Sequence, residues 1–294
     1  MKNAFVVLHL SILIAGFTGI FGRVIDLPAA VLVFWRVALA CALLWAIIFW
    51  KSSRKAGPHP LDAAAGRDVA GMCATGALLM LSWIFFYAAI KASNVSVGVV
   101  AFSSVGFFTA LIEPFFARRA VCLREVAFSL LTIAGIALVF QFDARHRLGI
   151  VYGLASGLTA ALLAVFFKRF RAKFSAFTVL AWELAGAFAA ALPAAILYAL
   201  LAPQARLVPT AADGLWLILF ASVFTIGMYL LQLQALEKIS AFTVNLSYNL
   251  EPVYSIFLAM ILFDEARALN WSFWAGLALI ALSVGLQTAS VLRK

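Results

Sequence analysis

The side chains able to do chemistry are few, and they sit in very apolar surroundings. From Asn245 to Tyr254 the chain reads Asn-Leu-Ser-Tyr-Asn-Leu-Glu-Pro-Val-Tyr. Asn245, Tyr248, Asn249 and Pro252 stand at i, i+3, i+4 and i+7, so a helix puts them on one face. Ser247, Glu251, Tyr254 and Ser255 form the adjoining face. An arc of donors and acceptors this wide holds a polar solute or ordered water, and it would be costly against hydrocarbon. Pro252 cannot donate to the carbonyl of Tyr248, which predicts a spare acceptor and a kink there.

Three further ionisable residues lie within apolar runs: Arg36, Glu113 and Glu183. A charge near a bilayer centre costs at least ~2.5 kcal/mol, so such residues face a cavity or a partner. With Glu251 they are candidates for a substrate or proton pathway. Glu113 stands just ahead of Arg118 and Arg119, and an interfacial position is expected for it. Ser103, Ser104 and Gly106 offer a milder polar surface in another run. Trp83, Tyr87, Gln232 and Gln234 extend the candidate lining.

Other chemistries lack their residues. The three histidines (His9, His59, His146) and three cysteines (Cys41, Cys73, Cys122) are scattered, without metal-ligand or disulfide spacing. No cofactor and no metal are expected. No Gly-rich phosphate loop with Lys and Ser/Thr is present, so ATP-driven work by this chain alone is not expected. An intramembrane lipid-modifying enzyme would need a nucleophile with its base, or metal ligands. A channel-like or facilitative pore would need a continuous polar file. Both stand as alternatives to a carrier of small molecules.

The elements that must position these residues follow from composition. Of 294 residues, 66% are hydrophobic and 12% charged, with a mean hydropathy of +1.07. Soluble domains carry ~25% charge. A soluble enzyme, a secreted disulfide scaffold and a disordered chain are thereby excluded. A membrane helix takes roughly 20 residues, so ten would use about 200. Apolar runs near 4–22, 30–50, 68–90, 95–117, 124–141, 149–167, 176–200, 213–235, 240–263 and 269–289 supply ten candidate spans. Most lack strict alternation, which favours helices over barrel strands. The first run is as long as a span and lacks a small-x-small cleavage site, so it is read as a helix rather than a signal peptide. The expected fold is an all-α integral membrane protein of ten transmembrane helices.

The net charge of +10 then marks loops rather than nucleic acid. With the N-terminus inside, the inner segments hold 15 Lys and Arg and the outer loops 6. That imbalance predicts a multi-pass protein of the cell membrane (the bacterial inner membrane) with both termini cytoplasmic.

An offset of about 146 residues aligns the halves, 1–147 and 148–294, five spans each. Phe34-Trp35-Arg36 falls near Ala181-Trp182-Glu183, and Gly106 falls on Pro252. Five is odd, so the second half crosses in the opposite sense. The charges agree: Arg118 and Arg119 follow the fourth span, Asp264 and Glu265 the ninth. Inverted repeats are a common build of secondary transporters. In that arrangement Arg36 and Glu183 lie toward opposite faces, and a direct bridge between them is not favoured.

Ten spans in two repeats, Arg36 early in the second span and the Pro252-to-Glu265 stretch resemble the EamA-type transporters of the drug/metabolite transporter superfamily. In that family each repeat often closes with a mid-helix Pro, an acid after the helix and a Gly-containing last helix. The second repeat keeps this with Pro252, Glu265, Gly276 and Gly285. The first departs: Gly106 replaces the Pro and Arg119 the acid, while Gly135 keeps the glycine. The resemblance implies an exporter of amino acids, related amphipathic metabolites or drugs, working by alternating access. It implies a central cavity walled by spans 3, 4, 8 and 9, with spans 5 and 10 peripheral. The substrate site is expected at Asn245, Tyr248, Asn249, Glu251, Tyr254, Ser103, Ser104, Trp83, Tyr87, Gln232, Arg36 and Glu183. Protons are the expected coupling ion, with Glu251 or Glu183 carrying them.

Overall fold

The structure, a computed structural model, describes residues 2–53, 61–118, 120–140, 146–263 and 271–292. Among these, all regular structure is helical. Ten helical rods follow one another. The first joins α1 (Lys2–Ala15) to α2 (Thr18–Val24); α3 (Ala29–Ser53) and α4 (Gly66–Ala92) are single. The fourth joins α5 (Val95–Phe102) to α6 (Val105–Ala117), followed by α7 (Leu123–Phe140), α8 (Arg147–Arg171) and α9 (Ala176–Leu201). The eighth is α10 (Ala211–Ala221), a π-helical stretch (Ser222–Gly227) and α11 (Met228–Lys238). The ninth is α12 (Ala241–Ser247), a 3-10 turn (Tyr248–Leu250) and α13 (Glu251–Phe263); α14 (Trp271–Leu292) is last. Seven rods among the described residues are long and apolar enough to cross a membrane. The exterior is apolar: Phe115, Leu200, Ile261 and Trp271 are 81%, 75%, 79% and 88% exposed. A surface of this kind belongs in lipid.

The two halves interleave. α3 packs on α9, α7 on α14, and the α5–α6 rod on the α12–α13 rod. α4 lies against α8 as α11 lies against α1, and against α9 as α10 lies against α3. Exchanging the first five rods with the last five reproduces this list, so the packing has pseudo-twofold character. Equivalent rods run antiparallel. On α3 and α9, Phe34 stacks with Phe188 while Trp45 meets Trp182. On α7 and α14, Thr132 bonds Ser283 at 3.1 Å and Arg124 bonds Ser290 at 3.1 Å.

Close crossings rely on small residues, as helix packing in lipid does. A Cβ on Gly76 of α4 would lie 2.0 Å from the carbonyl oxygen of Glu183, and one on Gly186 of α9 2.1 Å from that of Cys73. The two backbones touch there.

Polar ties close the rod ends. Glu113 of α6 accepts from the amides of Ala241 (3.3 Å) and Phe242 (2.7 Å), the first turn of α12. It is 8% exposed, so the expected interfacial glutamate is a buried helix cap, as the helix dipole favours. Lys168 donates to the carbonyls of Leu236 and Ile239 at the end of α11. Arg206 pairs with Asp213 at 2.7 Å and with Asp26 at 3.5 Å. Asp62, ahead of α4, accepts from the amide of Ser175 and donates its own amide to Thr178 at 2.8 Å. The Ser175 amide, the largest influence, holds the Asp62 carboxyl below the usual range.

Candidate functional site

A cavity with about 70 Å³ of space for water lies among the rods. A site for one water needs roughly 10–15 Å³, so this one holds a small cluster. Both halves line it. The first gives Thr18, Arg36, Trp83 and Tyr87, among others; the second gives Ser156, Phe167, Tyr229, Gln232, Asn245, Tyr248 and Glu251.

Arg36 of α3 is 1% exposed and is gripped from several sides. Its guanidinium carbon sits 3.6 Å from the Trp83 ring centre and 4.1 Å from that of Phe220. Planar guanidinium stacks well on aromatic faces, and the attraction grows once both are desolvated. Nε donates to Thr225 Oγ1 at 2.8 Å, and Nη1 donates to the Tyr87 hydroxyl at 3.0 Å. Nη2 has no partner. A buried donor left unpaired costs about 1–3 kcal/mol or more, and a ligand acceptor entering the cavity would relieve that.

Thr225 owes its position to the π-helical stretch. Its hydroxyl donates to the carbonyl of Phe220, five residues back, at 2.8 Å, and so presents its oxygen to Arg36. Such π segments inside α-helices often mark functional sites. Trp83 donates from its indole to the Tyr229 hydroxyl at 3.0 Å, fixing the ring beneath Arg36.

Glu251 faces the cavity from the ninth rod, 4% exposed, and accepts from Thr18 at 3.4 Å. The polar stretch around it bends as Pro252 requires. The 3-10 turn lets the amide of Glu251 donate to the Tyr248 carbonyl, the acceptor that Pro252 leaves without a donor. Tyr248 donates to Ser11 at 3.1 Å and Asn245 donates to Thr109 at 2.8 Å. These bonds orient the cavity face of the rod from behind.

Of the expected site residues, Arg36, Trp83, Tyr87, Gln232, Asn245, Tyr248 and Glu251 come together here. The Asn249 side chain lies outside the described residues, as do Asp264, Glu265 and Arg119. The others lie elsewhere. Ser103 bonds the carbonyl of Val99 at 3.3 Å at the α5–α6 bend, and Ser104 sits opposite Gly157 of α8. Tyr254 covers Gly16, where α1 gives way to α2. Glu183 is fully buried with neither oxygen partnered, and no bridge joins it to Arg36. Spans 3, 4, 8 and 9 do wall the cavity, but α8 contributes five lining residues and the first two rods contribute three.

Thr18, Thr225 and Tyr229 were not expected. Tyr229 has a readable signal, standing three residues before Gln232 on one helix face. Thr225 has none, because its role depends on a local change of helix type.

A model of the EamA-like transporter family matches the chain twice, over residues 3–141 and 147–288. No curated protein matches it. Among 29 matching chains of solved structures, one, a crystal structure of a protein, aligns with TM-score 0.70 at 18% identity over 98% of each chain. At that identity the likeness concerns the fold. The two family matches cover nearly the whole chain, and it therefore belongs to the EamA-like transporter family, as a multi-pass membrane protein of transporter type.

Proposed function

We propose that this chain is a secondary transporter, and not an enzyme, that exports small amphipathic metabolites of the amino-acid kind. In this reading ten helices in two inverted five-helix repeats, 1–147 and 148–294, span the bacterial inner membrane with both termini cytoplasmic. The halves rock about the cavity, opening it to each side in turn. One observation carries the reading: a buried cation with a spare donor and a carboxylate face the same small cavity, Arg36 with its unpartnered Nη2 and Glu251. A zwitterion, with a carboxylate and an ammonium on a compact body, complements that pair. Trp83, Phe86 and Tyr229 flank it with aromatic surface. Protons are the proposed coupling ion, with Glu251 as the group that takes up and releases them.

The polar ties at both ends support alternation. Asp26, Arg206 and Asp213 close one end, while Asp62 with Ser175 and Lys173 with Asp68 close the other. Opening either side means releasing one set.

The test is flux in proteoliposomes, with substrates found by comparing extracellular metabolites of cells with and without overproduction. Saturable, competitor-sensitive export of an amino-acid-like compound is expected. Unsaturable flux at ion-channel rates, or chemical turnover of lipid, would sink the carrier reading.

A further inference from the structure

A second recess lies away from the cavity, between the start of α4 and the end of α8, with about 800 Å³ of open space. Its walls carry three cations, Arg67, Arg169 and Lys173, and one acid, Asp68. Lys173 engages Asp68 at 3.4 Å. Arg67 and Arg169 are exposed, and neither has an ion pair among the described residues. Beneath the charges the lining turns apolar, with Ala74, Leu78, Phe166 and Phe170. The ring of Phe166 packs on Phe116, which is 43% exposed on the outer surface.

The recess does not lead to the cavity. At about 100° per residue, its residues lie roughly a third of a turn around both α4 and α8 from those that line the cavity. At the cavity itself the two helices are tied together by Ser156 donating to the Ser82 carbonyl at 2.8 Å and Ser82 to that of Ser156 at 3.2 Å, and no residue lines both spaces. The groove is thus a separate space, bordered through Phe166 by Phe116 of the apolar exterior and placed at the ends of α4 and α8.

We propose that this groove binds an anionic phospholipid, its phosphate held by Arg67 and Arg169 and an acyl chain lying along Leu78, Phe166 and Phe170. The charge and the apolar floor complement the two ends of such a molecule. Basic recesses between membrane helices are suited to acidic headgroups. A soluble anion would use the arginines and leave the aromatic floor in contact with water.

The experiment is native mass spectrometry of the full-length protein after exchange with vesicles of equal phosphatidylglycerol and phosphatidylcholine. The wild-type protein should retain phosphatidylglycerol on the order of tenfold over phosphatidylcholine, given the strength of two basic side chains near acidic lipid. Arg67→Ala with Arg169→Ala should bring the ratio close to one. Ala74→Trp, which fills the groove and leaves the charge unchanged, should do the same. Two chemically unrelated changes at exposed positions keep the result readable if one of them misfolds. Arg147→Ala, at an exposed position outside the groove, should keep the wild-type ratio. Equal retention of both lipids by the wild type would overturn the proposal. So would a preference that survives either groove variant, one lost with Arg147→Ala, or displacement of the lipid by soluble glycerol phosphate.

Discussion

Arg36 donates to Thr225 at 2.8 Å, and this bond joins a charge in the first half to the one π-helical turn among the described residues of the second. The threonine hydroxyl in turn donates to the backbone carbonyl of Phe220, whose ring lies on the same guanidinium. One stretch of six residues, Phe220 to Thr225, thus supplies one stacking face and one hydrogen-bond acceptor for Arg36, opposite Trp83 and Tyr87 of α4.

Arg36→Lys should lower transport at least tenfold while the protein still folds. The ammonium keeps the charge but cannot stack flat between Trp83 and Phe220 or fork its donors. Thr225→Val, which strands Nε, should cost about 1–3 kcal/mol of stability. Proteoliposome flux and thermal unfolding in detergent measure the two effects. Wild-type flux in Arg36→Lys would remove the arginine from the site.

Glu251→Gln keeps the shape of the side chain and its bond to Thr18, but cannot exchange a proton. Transport should become independent of an imposed pH gradient, with counterflow of substrate retained. Persistence of the gradient dependence would count against Glu251 as the coupling group.

Glu113 offers the contrast. Glu113→Ala leaves two buried amides of α12 without acceptors, at roughly 1–3 kcal/mol. Its unfolding temperature should fall, while the substrate KM of the folded fraction should match wild type. A changed KM would show that Glu113 does more than cap.

Gly76→Ala and Gly186→Ala should each prevent α4 and α9 from meeting, since the added carbon falls within about 2 Å of backbone atoms. Low yields of monodisperse protein are expected, with losses of at least 1–3 kcal/mol from overpacking. Normal thermal unfolding of either variant would contradict the observed crossing.

The carboxyl of Asp62 is held low by the Ser175 amide. Its contribution is therefore present above its unfolded pKa and is lost as pH falls through the lower folded value. Asp62→Asn should flatten the acid limb of a melting-temperature profile below about pH 4 and leave the neutral region nearly unchanged, the site being exposed. An unchanged acid limb would dismiss the tie.

Much of this was legible in the sequence because lipid leaves few choices. Apolar runs of span length become helices, and a polar arc such as Asn245 to Glu251 has to face inward. Arg36 was readable for the same reason. What stayed hidden depends on partners far along the chain. Glu113 caps a helix 128 residues away, and no local pattern marks an acid as a remote cap. Ser103 was read as lining because it offers a mild polar surface in the fourth span; its hydroxyl instead bonds within its own helix, four residues back. The part played by α8 was missed because its cavity face is small and apolar, with Ala160, Leu163 and Ala164, like any packing face.

The interleaving of the halves also bears on how the chain is made. α3, α4, α6 and α7 each find a principal neighbour in residues after 146. Helices inserted first must wait in the bilayer, with Arg36 lacking its Thr225 acceptor and Glu113 the α12 amides that it caps, until the ribosome has delivered the eighth and ninth rods. Assembly is therefore governed by contacts distant in sequence, which form slowly. A translation pause or truncation after the fifth rod leaves a membrane-inserted half whose buried charges lack their second-half partners, a ready substrate for quality-control proteolysis.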